Sequence, residues 1–412
     1  MKRLIVLLLA LLPLSLQAVQ FSSQERRLIQ EMSGQSMPVP QDASNRVSGQ
    51  PRAIELGRQL FFDRRLSADG RSACADCHQA ERGWADGQIL SRLRGQTLPR
   101  HTPSLWNVAL NRWYFWDGRS DSLWAQATHS LEAPLEMNSN RVYLARLILN
   151  DAALRSDFIS LFGALPACLE TDTLPESGRP VTEPVAENGS AQQQANWQAL
   201  SGCQQRGVNR LFTDLGKLLA AFEETLLARD SAFDRFAAEL AEQGTSQQLD
   251  EQQQQGLKLF MGRARCIACH SGPAFSDSEF HSIFFRRQPE PGRYAAIPVL
   301  LQDPFNQRGA YSDRDQQLPD KLDYVYRSME LRHKFKTPGL RNLSSSAPYM
   351  HDGSMASLRE VLDYYAGLAA NLDKGRHEET VLNDLQLNQA DIEALEAFLL
   401  SLNDDSQPEV QP

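Results

Sequence analysis

The chain has 412 residues, with 42 Lys and Arg against 51 Asp and Glu. Its formal net charge of -9 argues against a nucleic-acid partner and is compatible with a basic protein partner. That length exceeds one ordinary domain. Residues 1–18 read as a cleavable leader: Met1-Lys2-Arg3, an apolar run from Leu4 to Leu16 broken by Pro13, then Gln17-Ala18. The run is shorter than the roughly 20 residues a membrane span needs, and no later segment could span a bilayer. The mature chain is therefore expected to be exported, with its cysteines in an oxidising compartment.

Taken in order, Ser22 to Met32 is a polar helix candidate. Ile54 to Phe62 has helical apolar spacing and leads into Cys74-Ala75-Asp76-Cys77-His78. Turns rich in Gly and Arg follow, through Thr102. Helical periodicity returns at Leu123-Trp124 and from Val142 to Phe162, where Leu144, Ile148, Leu154 and Phe158 share a stripe. Pro166 to Gly207 is polar and low in complexity at Gln192-Gln193-Gln194, and reads as a surface insertion outside the core. Cys168 and Cys203 at its two ends are expected to pair. Val208 to Leu227 is strongly amphipathic, and Gln252 to Phe260 feeds a second motif, Cys266-Ile267-Ala268-Cys269-His270. Pro289, Pro291, Pro298, Pro304 and Pro319 discourage regular structure before Phe335. Helices are expected at Ser357 to Tyr365 and Asn388 to Leu402.

Two thiols three residues apart form thioethers to both vinyl groups of one haem, and the adjoining histidine reaches its iron. Half a zinc site could use the same residues, but a second copy without a further cysteine pair at zinc spacing favours two haem c groups. The cofactor-binding residues are then Cys74, Cys77, His78, Cys266, Cys269 and His270, with His78 and His270 as iron ligands. The expected fold is mainly α, with two cytochrome c-like haem domains about an interdomain interface. The N-terminal domain would run over 19–240 with the insertion at 166–207, the C-terminal domain over 241–405, and a tail over 406–412. The helices preceding the two motifs make the halves weak internal repeats.

Four further blocks carry a resemblance. Leu60-Phe61-Phe62-Asp63, Phe115-Trp116-Asp117-Gly118-Arg119, Phe335-Lys336-Thr337-Pro338-Gly339-Leu340-Arg341-Asn342 and Ala347-Pro348-Tyr349-Met350-His351-Asp352-Gly353, in this order around the motifs, resemble the bacterial di-haem cytochrome c peroxidase and MauG superfamily. The resemblance implies that the N-terminal haem reacts with hydrogen peroxide and the C-terminal haem stores or relays electrons. It places a bridging tryptophan at Trp116, a distal glutamine at Gln126 and the distal acid-base glutamate at Glu136. A carboxylate there can take a proton from one peroxide oxygen and return it to the other. His351 matches a position near the haem propionates. Ser346 and Pro348 fall where carbonyl groups bind an interdomain calcium ion in relatives, although His101 replaces the usual asparagine ligand.

Two departures shape the expectation. One branch of the family caps the peroxidatic iron with a histidine before Pro99-Arg100, and here Leu93 takes that place; His101 is the nearest imidazole. The same branch has an axial methionine where this chain has Tyr365, as MauG does. A phenolate stabilises high oxidation states, whereas a thioether favours reduced iron; Met350 and Met355 are the alternative ligands. The resemblance therefore implies a periplasmic peroxidase that draws electrons from a periplasmic protein donor, or oxidises a protein substrate as the MauG branch does. The alternatives are the histidine-capped cycle with a small cytochrome or copper-protein donor, and a di-haem carrier or sensor without turnover.

Overall fold

The computed structural model describes residues 19–169, 174–181, 190–283, 290–371, 380–382 and 385–404. The leader, His377 and the tail lie outside them. Among the described residues the fold is mainly α, in agreement with the class expected. The helices are α1 (Ser23–Met32), α2 (Pro51–Phe61), α3 (Cys74–Cys77), α4 (Leu123–Glu132), α5 (Arg141–Asn150), α6 (Ala152–Phe162), α7 (Ser190–Ala199), α8 (Gly202–Glu223), α9 (Ala232–Gln243), α10 (Glu251–Met261), α11 (Arg293–Gln302), α12 (Leu358–Asn371) and α13 (Gln389–Leu400). Two short antiparallel pairs complete them: β1 (Arg92–Leu93) with β2 (Gln96–Thr97), and β3 (Phe280–His281) with β4 (Phe335–Lys336).

Many helix starts are written locally. Ser22 with Glu25, Ser201 with Gln204, Ser231 with Asp234, Asp250 with Gln253 and Asn388 with Asp391 each close a reciprocal cap on the free amides of the first turn. Helix α2 instead opens on Pro51, whose missing N–H costs nothing at that position.

The repeat seen in the sequence becomes a packing unit built twice. Helix α2 lies on α8, and α10 lies on α13. A Cβ on Gly57 would overlap the carbonyl oxygen of Leu218, and one on Gly256 would overlap that of Ala394, so each crossing needs its glycine for close backbone approach. Beside each crossing, one phenylalanine meets another edge-on: Phe61 and Phe222 at 5.2 Å, and Phe260 and Phe398 at 5.2 Å.

The first core gathers α2, α4, α5, α6 and α8, and the second gathers α1, α9, α10 and α13 with Leu358 and Leu362 of α12. Residues on the N-terminal side of position 240 thus contribute to both. Ile29 and Met32 of α1, and Phe233, Phe236 and Leu240 of α9, are buried in the second core. A small third cluster of Trp113, Leu300 and Leu322 lies where the segment after the second motif crosses back.

Two expectations need correction. The 166–207 insertion does reach the core: Leu169, Leu174, Trp197 and Leu200 are buried against the first cluster. Its glutamines are structural, with Arg179 donating to the Gln193 Oε1 at 2.9 Å and the Val181 amide to the Gln194 Oε1 at 2.6 Å. Four widely spaced apolar residues suffice to anchor a polar segment, and composition averages them away. Cys168 and Cys203 are joined in a disulfide. The second correction is α11, which forms despite Pro298. Burial of Ala296, Ile297 and Leu300 outweighs the roughly 3 kcal/mol a helical proline costs.

Candidate active site between the two C-x-x-C-H motifs

Each motif ends in a histidine whose ring is held in the same way. The Nδ1 of His78 lies 2.8 Å from the carbonyl oxygen of Trp84, and that of His270 lies 2.9 Å from the carbonyl oxygen of Phe275. A carbonyl partner requires Nδ1 to carry the proton, which leaves Nε2 with its lone pair free for a metal. Burial lowers both imidazole pKa values and keeps the rings neutral, the state a ligand needs. Phe61 and Phe260 stand behind the two anchoring residues, at 5.9 Å from Trp84 and 5.8 Å from Phe275.

Both motifs open into one cavity of about 730 Å³. Cys74, Cys77, Cys266 and Cys269 line it as free thiols. Burial pushes the Cys77 and Cys266 thiols up to about 12 and raises Cys74 as well, so these thiols stay protonated near neutral pH. Among the described residues the one set of potential metal donors is Cys269, Asp277 and His281, in which His281 Nε2 is already 2.8 Å from Asp277 Oδ2.

Between the motifs the wall becomes polar and aromatic. Trp116 donates its Nε1–H to the carbonyl oxygen of His101 at 2.9 Å, and its ring centroid is 6.5 Å from that of His351. His351 stacks on Phe335 at 4.0 Å. Arg100 ties this cluster together through Asp117 at 2.6 Å and Glu290 at 2.8 Å, with its guanidinium 5.4 Å from the Phe335 ring. A hydrogen bond from His351 and the charge of Arg100 hold the Glu290 carboxyl low against its desolvation. Among the described residues Lys336 has no carboxylate within hydrogen-bond reach: burial lowers it to about 8 against the charge of Asp277, and its Nζ donates to Asn111 Oδ1 at 3.3 Å and the Thr337 carbonyl at 3.2 Å. An ammonium in the cavity wall held by two neutral acceptors suits an anionic group entering the cavity. Haem carries two propionates, so the donor set and this cation both fit it.

The residues singled out for the first haem line the same cavity. Glu136 is close enough for its charge to act on Cys74, Cys77 and His78. Gln126 projects from α4, its amide donating to Ser130 Oγ at 3.1 Å. Leu93, at the tip of the β1–β2 hairpin, is also in the wall. His101 lines the cavity but is committed on three sides, through its Nδ1 to Gln88, its amide to the His351 carbonyl and its carbonyl to Trp116.

At the second motif, Tyr365 reaches the cavity from α12, near enough to Cys266 and Cys269 to feel their charge. Burial raises its phenol pKa well above the ordinary value, so only a strong local positive charge would ionise it. Met350 also lines the cavity, whereas Met355 is buried outside the wall. Ser346 and Pro348 border it too. His129 pairs with Asp303 at 2.8 Å, and His333 Nδ1 meets the Glu290 carbonyl at 2.6 Å, so both have structural partners.

Comparison with known proteins agrees with this geometry. The family model for di-haem cytochrome c peroxidase matches residues 51–242. The methylamine utilization protein MauG of Methylorubrum extorquens is 30% identical over 330 residues, covering 79% of this chain and 71% of that protein. The chain belongs to the di-haem cytochrome c peroxidase family. Cytochrome-c peroxidase IdrP2 of Pseudomonas sp. (strain SCT) is 29% identical over 373 residues, covering 89% of this chain and 87% of the relative. In fold, a MauG-like protein associated with microbial copper homeostasis superposes with a TM-score of 0.62 at 24% identity, covering 90% of this chain and 94% of that one.

As a family member this di-haem peroxidase is an enzyme that carries two haem c groups. Among the described residues, no helix of the peroxidase is long and apolar enough to cross a membrane. Sequence reasoning missed the Arg100, Asp117 and Glu290 network because its members lie far apart in the chain. It also missed Glu223 of α8, a buried cavity-wall carboxyl raised to about 8 by burial whose Oε2 has no hydrogen-bond partner. Only the sequence Phe222-Glu223-Glu224, with two charges on a largely apolar helix, hinted at it.

Proposed function

We propose that the chain is an exported, periplasmic peroxidase that reduces hydrogen peroxide at the haem held by Cys74, Cys77 and His78. The unit holding Cys266, Cys269 and His270 would pass in electrons from a protein donor, with Leu93 and Tyr365 as the two residues that align the chain with the MauG branch. What supports this reading is the wall of the first cradle, which Leu93, at the position the resemblance gives to a capping imidazole, lines together with Glu136 and Gln126. The first haem unit would comprise the α2–α8 core, and the second the α10–α13 core together with α1 and α9.

Bound haem supplies the redox-active iron at which peroxide is activated. Glu136 takes the proton from one peroxide oxygen and returns it to the other, which leaves as water when the O–O bond breaks. Gln126, steadied by Ser130, orients the peroxide. Each peroxide consumes two electrons and two protons and yields two waters. Trp116, fixed by His101 and flanked by His351, offers an indole between the two cradles for electron transfer. Tyr365 would hold the second iron through its phenol oxygen, with the positive charge of the metal offsetting the burial that raises the phenol pKa. The reading does not need calcium at Ser346 and Pro348, since His101 gives a nitrogen where that hard cation takes oxygen. A carrier without turnover would gain from two strong ligands on each iron, and Leu93 cannot provide one.

Stoichiometric peroxide added to the all-ferric holoprotein tests this. Rapid spectral change without prior reduction is expected, slowed roughly 10²- to 10⁴-fold in Glu136→Gln. A ferric protein that stays inert until one electron is added would return the assignment to the histidine-capped cycle.

A further inference from the structure

Six of the ten large apolar side chains exposed among the described residues fall between Val299 and Met329. Such a concentration is unlike the single exposed apolar residues every surface carries. Tyr324 is 75% exposed, Tyr326 72%, Met329 55% and Val299 46%. Their segments pack together: the turn Met329–Leu331 packs on α11, Leu322 and Val325 cluster with Leu300 of that helix, and the guanidiniums of Arg327 and Arg332 lie 4.0 and 5.9 Å from the ring of Tyr294 on it. Both arginines are exposed, and among the described residues neither has a carboxylate partner. Tyr, Met and Arg are the residue types that interfaces favour.

The same face joins the electron path directly. The amide of Arg293 donates to the Lys334 carbonyl at 2.9 Å, and that of His333 to the Pro291 carbonyl at 3.3 Å, so the start of α11 and residues 333–334 are stitched together. His333 lines the cavity, and two residues on, Phe335 stacks on His351 beside Trp116.

We propose that the face made by Val299, Tyr324, Tyr326 and Met329, rimmed by Arg327 and Arg332, is where a soluble one-electron donor protein with an acidic rim docks. Its electron enters through the unit holding Cys266, Cys269 and His270, next to the Phe335, His351 and Trp116 cluster. This rests on the peroxidase reading above and adds to it the location and charge of the partner. Two donor molecules, each oxidised by one electron, supply one peroxide.

The test uses the holoprotein and one redox protein at two charges: reduced cytochrome c as the basic form, and the same protein succinylated at its lysines as the acidic form. A small one-electron dye serves as the control donor. The wild type should oxidise the acidic form with the lower KM, and salt should raise that KM. The triple variant Tyr324→Ser, Tyr326→Ser, Met329→Ser should raise it roughly tenfold or more with dye turnover unchanged. Arg327→Glu with Arg332→Glu should reverse the preference between the two forms. The proposal is overturned if both variants leave the protein-donor KM unchanged, or if the dye is oxidised and neither cytochrome is. It is equally overturned if light scattering shows a dimer that the triple variant dissolves while the donor KM stays put. Failure of dye turnover in the wild type would instead sink the peroxidase reading.

Discussion

Arg341 offers the sharpest test of how the second haem unit is held together. Its guanidinium meets Asp234 of α9 at 2.7 and 2.9 Å, the Met32 carbonyl at the end of α1 at 3.2 Å, and the Pro273 carbonyl just after His270 at 2.6 Å. Both side chains are almost fully buried, at 1% and 3% exposure. Arg341→Met therefore strands a buried carboxylate and leaves two carbonyls without a donor. Breaking a buried pair from one side typically costs about 3 to 5 kcal/mol. Asp234 would keep three donors, the Gly34 amide at 2.6 Å and the Ser231 amide and hydroxyl at 2.8 and 2.7 Å, which places the expected loss near the lower end, about 3 kcal/mol. Urea unfolding of the holoprotein measures it. Adding Asp234→Asn should recover part of the loss, because the uncompensated charge is gone. The absorption of the second haem should shift as well, since Pro273 and Phe275 frame the loop whose carbonyl sets the His270 ring. A single-variant loss under about 1 kcal/mol, or a double variant less stable than either single one, would refute the reasoning.

Tyr365→Phe should change the spectrum and potential of one haem while haem content, checked by mass spectrometry, stays at two. Met350→Leu should leave that spectrum unaltered, and the reverse pattern would move the ligand to Met350. Glu224 gives a pH-dependent stability. Burial raises its carboxyl from 4.5 to about 7 against a hydrogen bond from Ser48, so the folded state prefers the neutral acid. Its contribution is complete below the unfolded value of 4.5 and is lost as pH rises through about 7. Glu224→Gln should match the wild type near pH 4 and exceed it at pH 8 by on the order of 2 to 3 kcal/mol, read from denaturation midpoints. Equal stabilities at pH 8 would contradict it.

Features carried by short sequence spans were legible without coordinates. The two C-x-x-C-H motifs need only five residues each, and α8 and α10 announce themselves by apolar spacing. The helix-before-motif repeat was visible too, although its glycines explain themselves only at the crossings, where Gly57 and Gly256 admit a neighbouring backbone. What escaped was long-range. Helix α11 contradicts its own proline, the insertion hides Trp197 in polar company, and α1 and α9 join a core whose other helices lie far along the chain.

The sequence by itself located the two C-x-x-C-H motifs, the histidines that end them and the helices around them, because motif spacing and helical periodicity are local. Only the tertiary structure decided that both motifs open into one cavity, that carbonyls of Trp84 and Phe275 prepare the two imidazoles, and that Trp116, His351, Phe335, Arg100 and Glu290 meet between them. The physical reason is that burial and charge pairing depend on distances in space. Among the described residues, Lys336 is left to two neutral acceptors, and Glu223 without a hydrogen-bond partner for its Oε2, only once distant segments have closed around them.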